Sequence, residues 1–104
     1  MANVIPNAFK GELLSGTHNF ASGGNSFKLA LYTSNPYSTS STAYDTTNEV
    51  SASGGSNYTT TGLVLQNQSV TTGATSFVDF DDLTFSSATF TAAFGAIYND
   101  TNSD

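Results

Sequence analysis

The sequence contains no cysteine, which removes disulfide staples, thiolate metal sites and cysteine nucleophiles from consideration. Cations are almost as scarce: Lys10 and Lys28 stand against 8 acidic residues, for a formal net charge of -6. Nucleic-acid binding draws its affinity from Lys and Arg replacing counterions along the phosphates, so this surface does not grip DNA or RNA. Charged residues of either sign make up 10% of the chain, against about 25% in ordinary soluble domains. No stretch approaches the roughly 20 apolar residues that cross a bilayer, and the first ten residues lack a cationic region followed by an apolar run. The expectation is a chain with no membrane span and no signal peptide. At 104 residues there is room for one domain but not for two separate cores.

What fills the space instead is small, uncharged and polar: 15 Ser, 16 Thr, 10 Asn and 9 Gly, nearly half the chain. Disordered chains are rich in charge and poor in aromatic and β-branched residues, whereas here such residues recur in short blocks. With 8 Phe, 5 Tyr and no Trp, rings have to supply much of the core volume. The composition therefore predicts an ordered, mainly β domain, an antiparallel sandwich-like fold with one short N-terminal helix.

Pro6 suits a first helical position, because its missing N–H would be unpaired there anyway. Phe9 and Leu13 follow at i, i+4 spacing and Gly16 suits the end, which predicts a helix over 6–14. So short a helix is marginal alone, and it is expected to be held by packing Phe9, Leu13 and Leu14 against the sheet. Turn chemistry follows in residues 17–25. Residues 26–33 then alternate, with Phe27, Leu29 and Leu31 on one face and Lys28, Ala30 and Tyr32 on the other, a strand that Asn35-Pro36 stops. Residues 37–61 form a long Ser/Thr/Gly/Asn loop bearing Tyr37, Tyr44 and Tyr58. A stretch of that length is functional, disordered or hiding a short element, and Asp45–Val50 is a candidate helical turn. Residues 62–70 predict a second strand, Thr71–Ala74 a hairpin connection and Thr75–Phe80 a third strand. Phe90–Tyr98 is the most apolar run, with apolar residues on both faces, as expected of a central strand covered on each side. The chain ends soon afterwards, which predicts a further C-terminal part beyond Asp104.

Candidate chemistry is sparse. Asp79, Asp81 and Asp82, with Asp100 a candidate neighbour, are solvated outer-face charges in the simpler reading, and hard-oxygen Ca2+ ligands or an acid/base pair in the others. His18 is the only histidine and sits among loop residues with no Gly-x-Ser-x-Gly elbow elsewhere, so a hydrogen-bonded or exposed loop histidine is expected rather than a catalytic base. Gly23-Gly24 and Gly54-Gly55 lack nucleotide-binding patterns and are read as turns. Tyr37, Tyr44 and Tyr58 resemble the adaptable, low-entropy composition of binding surfaces; they either meet a partner or pin the loop to its own domain.

Ordered segments then carry a resemblance. Asn7-Ala8-Phe9-Lys10-Gly11-Glu12-Leu13-Leu14, Phe27-Lys28-Leu29-Ala30-Leu31-Tyr32-Thr33, Tyr44-Asp45-Thr46-Thr47-Asn48-Glu49-Val50 and Phe94-Gly95-Ala96-Ile97-Tyr98-Asn99-Asp100-Thr101, with Leu83-Thr84-Phe85 between, resemble a family of small proteins encoded by tailed bacteriophages, often marine ones. The resemblance implies a non-enzymatic virion component made in the host cytoplasm, with no cofactor. It implies a capsid decoration or cement protein whose partners are the major capsid protein or other virion proteins, present as a homo-oligomer. Amphipathic spacing and the length of the 37–61 loop mark Phe9, Leu13, Tyr37, Tyr44 and Tyr58 as the expected interface residues. The rival expectation is a tail, fibre or vertex module that binds host glycan.

Overall fold

The computed structural model describes residues 4–52, 56–86 and 89–101; the Gly54-Gly55 turn and both chain ends lie outside the described residues. Its order is α1 (Asn7–Leu14), β1 (Phe27–Tyr32), β2 (Leu63–Val64), β3 (Ser69–Thr71), β4 (Phe77–Asp79) and β5 (Phe94–Asn99). The fold is mainly β with one short N-terminal helix: a three-stranded antiparallel sheet ordered β2-β1-β5, and a two-stranded antiparallel hairpin, β3-β4.

Helix α1 starts at Pro6, which sits at φ -60° in the cap position, one residue earlier than a first helical turn. It closes in a Schellman turn: Gly16, at φ 77°, donates its N–H to Leu13 O, and Thr17 N–H reaches Glu12 O at 2.9 Å. That turn brings His18 back beneath the helix, against Phe9 at a ring separation of 4.5 Å. Phe9 and Glu12, spaced i, i+3, thereby become the covered face. Leu13 and Leu14, expected to pack against the sheet, instead point outward, Leu14 with 93% of its surface exposed.

β1 is the central strand, because both of its edges are used. Leu31 O accepts from Val50 N–H and Phe27 O from Leu65 N–H on one side, while Ser26 O accepts from Asp100 N–H on the other. Phe27, Ala30 and Tyr32 are buried, so β1 is covered on both faces. The expected second strand splits at Asn67, whose left-handed φ of 53° breaks the ladder between β2 and β3. Asp45–Val50 makes no helix: Asp45 Oδ1 holds Thr47 N–H at 2.8 Å, Asn48 turns at φ 62°, and Glu49 bridges to Tyr32. The apolar run expected at the centre forms β5, which lies at the edge. It pairs with β1 from Phe27↔Asn99 to Tyr32↔Phe94, and no strand pairs with its other side among the described residues.

The hairpin stands away from the sheet. All six of its residues are exposed, including Val70, Phe77 and Val78, and a lone two-stranded hairpin is at best marginal in water. Accordingly the radius of gyration is 14.3 Å, against about 13 Å for a compact chain of this size.

Gly62 takes φ +84°, and a Cβ there would stand 1.9 Å from Leu29 O of the backbone. Gly62→Ala is therefore expected to cost more than about 2 kcal/mol in denaturant unfolding. Gly11→Ala, on an open helix position with nothing within 4 Å, should gain about 0.5–1 kcal/mol in the same measurement.

Candidate functional site

The loop of residues 37–61 is organised by one side chain. Glu49 accepts from the Tyr44 hydroxyl through Oε1, and from the Tyr58 hydroxyl and the Thr61 N–H through Oε2, the last at 2.8 Å. Thr61 is at φ 82°, an unfavourable conformation for a β-branched residue, and it is held from every side. Tyr98 Oη donates to its carbonyl at 2.7 Å and Lys28 Nζ donates to its hydroxyl at 3.2 Å. Tyr58 Oη also accepts from Leu31 N–H at 3.1 Å, which fastens the loop to β1. Farther out, Tyr32 Oη donates to Asp45 O at 2.7 Å and lies 2.6 Å from Tyr37 Oη, which in turn accepts from Asp45 N–H.

These hydroxyls are held as neutral phenols. Burial raises Tyr32 far above the usual tyrosine range, with Tyr37 adding to the effect, and burial together with the Glu49 carboxylate does the same to Tyr44 and Tyr58. Burial also pushes Tyr98 up to about 12, partly offset by the Thr61 side-chain hydroxyl.

With the loop pinned, a groove of about 450 Å³ opens along β5. Phe94, Gly95, Ala96, Ile97 and Tyr98 all line it. Because side chains alternate between faces of a strand, five consecutive residues share one groove only if it runs along the strand's edge. On one face its wall is aromatic: Phe20 stacks on Phe27 at 4.1 Å, and Phe9 and Phe80 meet Phe20 at 6.4 Å. On the other face the wall is Tyr37 and Tyr44, Tyr44 stacked on Tyr98 at 4.5 Å. Val4, Ile5 and Pro6 line it too, and Asn7 N–H donates to Thr39 O at 2.9 Å, so the N-terminal segment bridges the two walls.

Of the expected interface residues, Phe9, Tyr37 and Tyr44 come together in this groove, Leu13 is exposed on the helix, and Tyr58 is buried in the core. Tyr58 stacks on Phe85 at 5.9 Å and meets Phe90 edge-on at 5.6 Å; its place is to pin the loop. His18 is hydrogen-bonded, as expected of it, but buried: its Nε2 lies 3.0 Å from Glu12 Oε1 and its Nδ1 3.0 Å from Asn99 Nδ2. A neutral ring that donates to Glu12 and accepts from Asn99 satisfies both contacts. Among the described residues the aspartates form no group of three or more that could hold a metal ion. Asp79 is exposed, Asp81 accepts from Asn67 Nδ2 at 2.6 Å, and Asp100 lies 3.9 Å from Lys28. Ile97 and the bridging Val4–Pro6 segment lie outside the expected site; the signal in the sequence is the run of apolar residues on both faces around Ile97, which points to a covered central strand rather than to an open edge. Compared with protein-family models, with curated proteins and with solved structures, the chain matches none.

Glu49→Ala leaves two phenols and one N–H without their acceptor and should cost about 2–3 kcal/mol in denaturant unfolding, with Glu49→Gln losing less. A raised tyrosine pKa favours the neutral form in the folded state, so its contribution is complete below pH 10 and lost as pH climbs from 10 towards about 12 for Tyr98. Stability is expected to be flat below that window and to fall within it, with tyrosinate absorbance rising together with the loss of circular dichroism.

Proposed function

We propose that this chain is a non-enzymatic virion structural protein of a tailed bacteriophage, a decoration or cement protein that attaches to the capsid shell through the groove along β5. The carrying observation is that the groove is mostly apolar and runs along the edge of β5 that faces away from β1, which among the described residues pairs with no strand, and that among those residues Glu12 is the one charged side chain lining it. Attachment needs apolar area and shape, and exposed apolar patches of this kind mark interaction surfaces. Ile97, with 54% of its surface exposed, and Ile5, with 58%, stand at this groove. The ordered segments that resemble phage structural proteins supply the partner, and symmetric copies on a lattice supply the avidity that a small surface requires.

The test is titration of purified protein onto bare phage capsids, read by co-sedimentation and a map of the loaded particle. Saturable occupancy of repeated lattice positions is expected, weakened by about tenfold or more in Ile97→Lys. No binding, or a few copies confined to the tail or vertices, would overturn the reading, the latter in favour of adhesion.

A further inference from the structure

We infer that the groove takes one extended β-strand from a partner protein, which adds to the sheet along the free edge of β5 and carries Lys or Arg beside its apolar residues. The geometry of the ladder supports the first half. Even-numbered positions bond towards the β5 side, as Ser26 O does with Asp100 N–H just before β1 and Tyr32 O with Ala93 N–H at its end, whereas Phe27 and Leu31 bond towards the other side. In an antiparallel ladder that alternation is shared by both strands. With Ala30 opposite Ala96 and Lys28 opposite Tyr98, the backbone groups of Gly95 and Ile97 point away from β1 into the groove. Donors and acceptors in a row, flanked by apolar walls, are the recognition elements of strand addition.

The bridging segment Val4–Pro6 lines the same groove, tied across by Asn7 to Thr39. Charge selects the composition of the occupant. Among the described residues Glu12 is the only charged one lining the groove, the chain carries a net charge of -6, and neither lysine is turned to the groove: Lys28 is held by Thr61 and Asp100, and Lys10 reaches Asn7. A second copy of this acidic chain is disfavoured on the same ground, and a basic strand is favoured.

This inference rests on the reading of the chain as an attaching module and is tested apart from it. The probe is a short synthetic peptide of alternating Val and Thr with a lysine at each end, compared with the same peptide ended in glutamate. Affinity is read by fluorescence anisotropy, and strand pairing by hydrogen exchange at the Gly95 and Ile97 amides. The lysine-ended peptide should bind and slow exchange at both amides. The glutamate-ended peptide should bind at least about tenfold more weakly.

Ile97→Pro removes one outward N–H while sparing the ladder to β1, a placement that edge strands tolerate. It should weaken the lysine-ended peptide by about tenfold or more, with folding checked by circular dichroism; the exchange measurement on the unmutated chain needs no variant. No binding, binding that leaves both amides exchanging freely, or equal affinity for the two peptides would overturn the inference. So would a concentration-dependent dimer of the chain alone that protects the same amides, which would give the edge to a second copy. Capsid binding by the unmutated chain with no peptide binding would sink strand addition alone and leave attachment standing.

Discussion

The structure depends on the Glu49 carboxylate. A chain with no disulfide and few ion pairs has to close a long, polar loop onto its sheet by other means, and the closure entropy of such a loop is appreciable. Glu49 gathers the Tyr44 and Tyr58 hydroxyls and the Thr61 N–H on two oxygens. Bonds to a charged acceptor are the stronger kind. They also hold Thr61 and Gly62 in consecutive left-handed conformations, at φ 82° and 84°, which lets the chain pass within reach of Leu29 O and enter β2.

From that closure the rest follows in order. The pinned loop sets Tyr37 and Tyr44 on one face of the sheet, and the Schellman turn sets His18, Phe9 and Phe20 on the other. The two walls leave β5 bare between them. Phe27, Tyr32, Tyr58 and Tyr98 are buried, yet Ile5, Leu14, Phe77 and Ile97 are mostly exposed. The apolar content is thus divided between a small aromatic core and a surface suited to contact with something else, and a domain of this size has little interior to spare.

Much of this was legible in the residues. Pro6 and Gly16 bracket α1, the alternation of 27–32 is β1, and Thr71–Ala74 does join two strands. What was not legible is non-local. Glu49 reaches partners 5, 9 and 12 residues away, separations with no helical or strand period, so a polar loop conceals a clamp. Apolar residues on both faces of 94–98 imply cover on both faces, yet Gly95 and Ile97 stay exposed and only Tyr98 of the five is buried; periodicity is silent on whether a neighbouring strand is there to cover the rest. Likewise Leu13 and Leu14 carry the right spacing for a packed helix, and only the backward turn after Gly16 decides that Phe9 and Glu12 face inward.

Natural sheets blunt their open edges with lysine or proline to keep strangers from annealing to them, and Phe94–Asn99 contains neither. Here the sentry is Val4–Pro6, stationed by one backbone hydrogen bond from Asn7 to Thr39. Clipping the chain ahead of α1 would strip that guard and lengthen the stretch of edge open to an incoming strand. Val4–Pro6, which belongs to no strand, thereby governs how much of the sheet lies open to one.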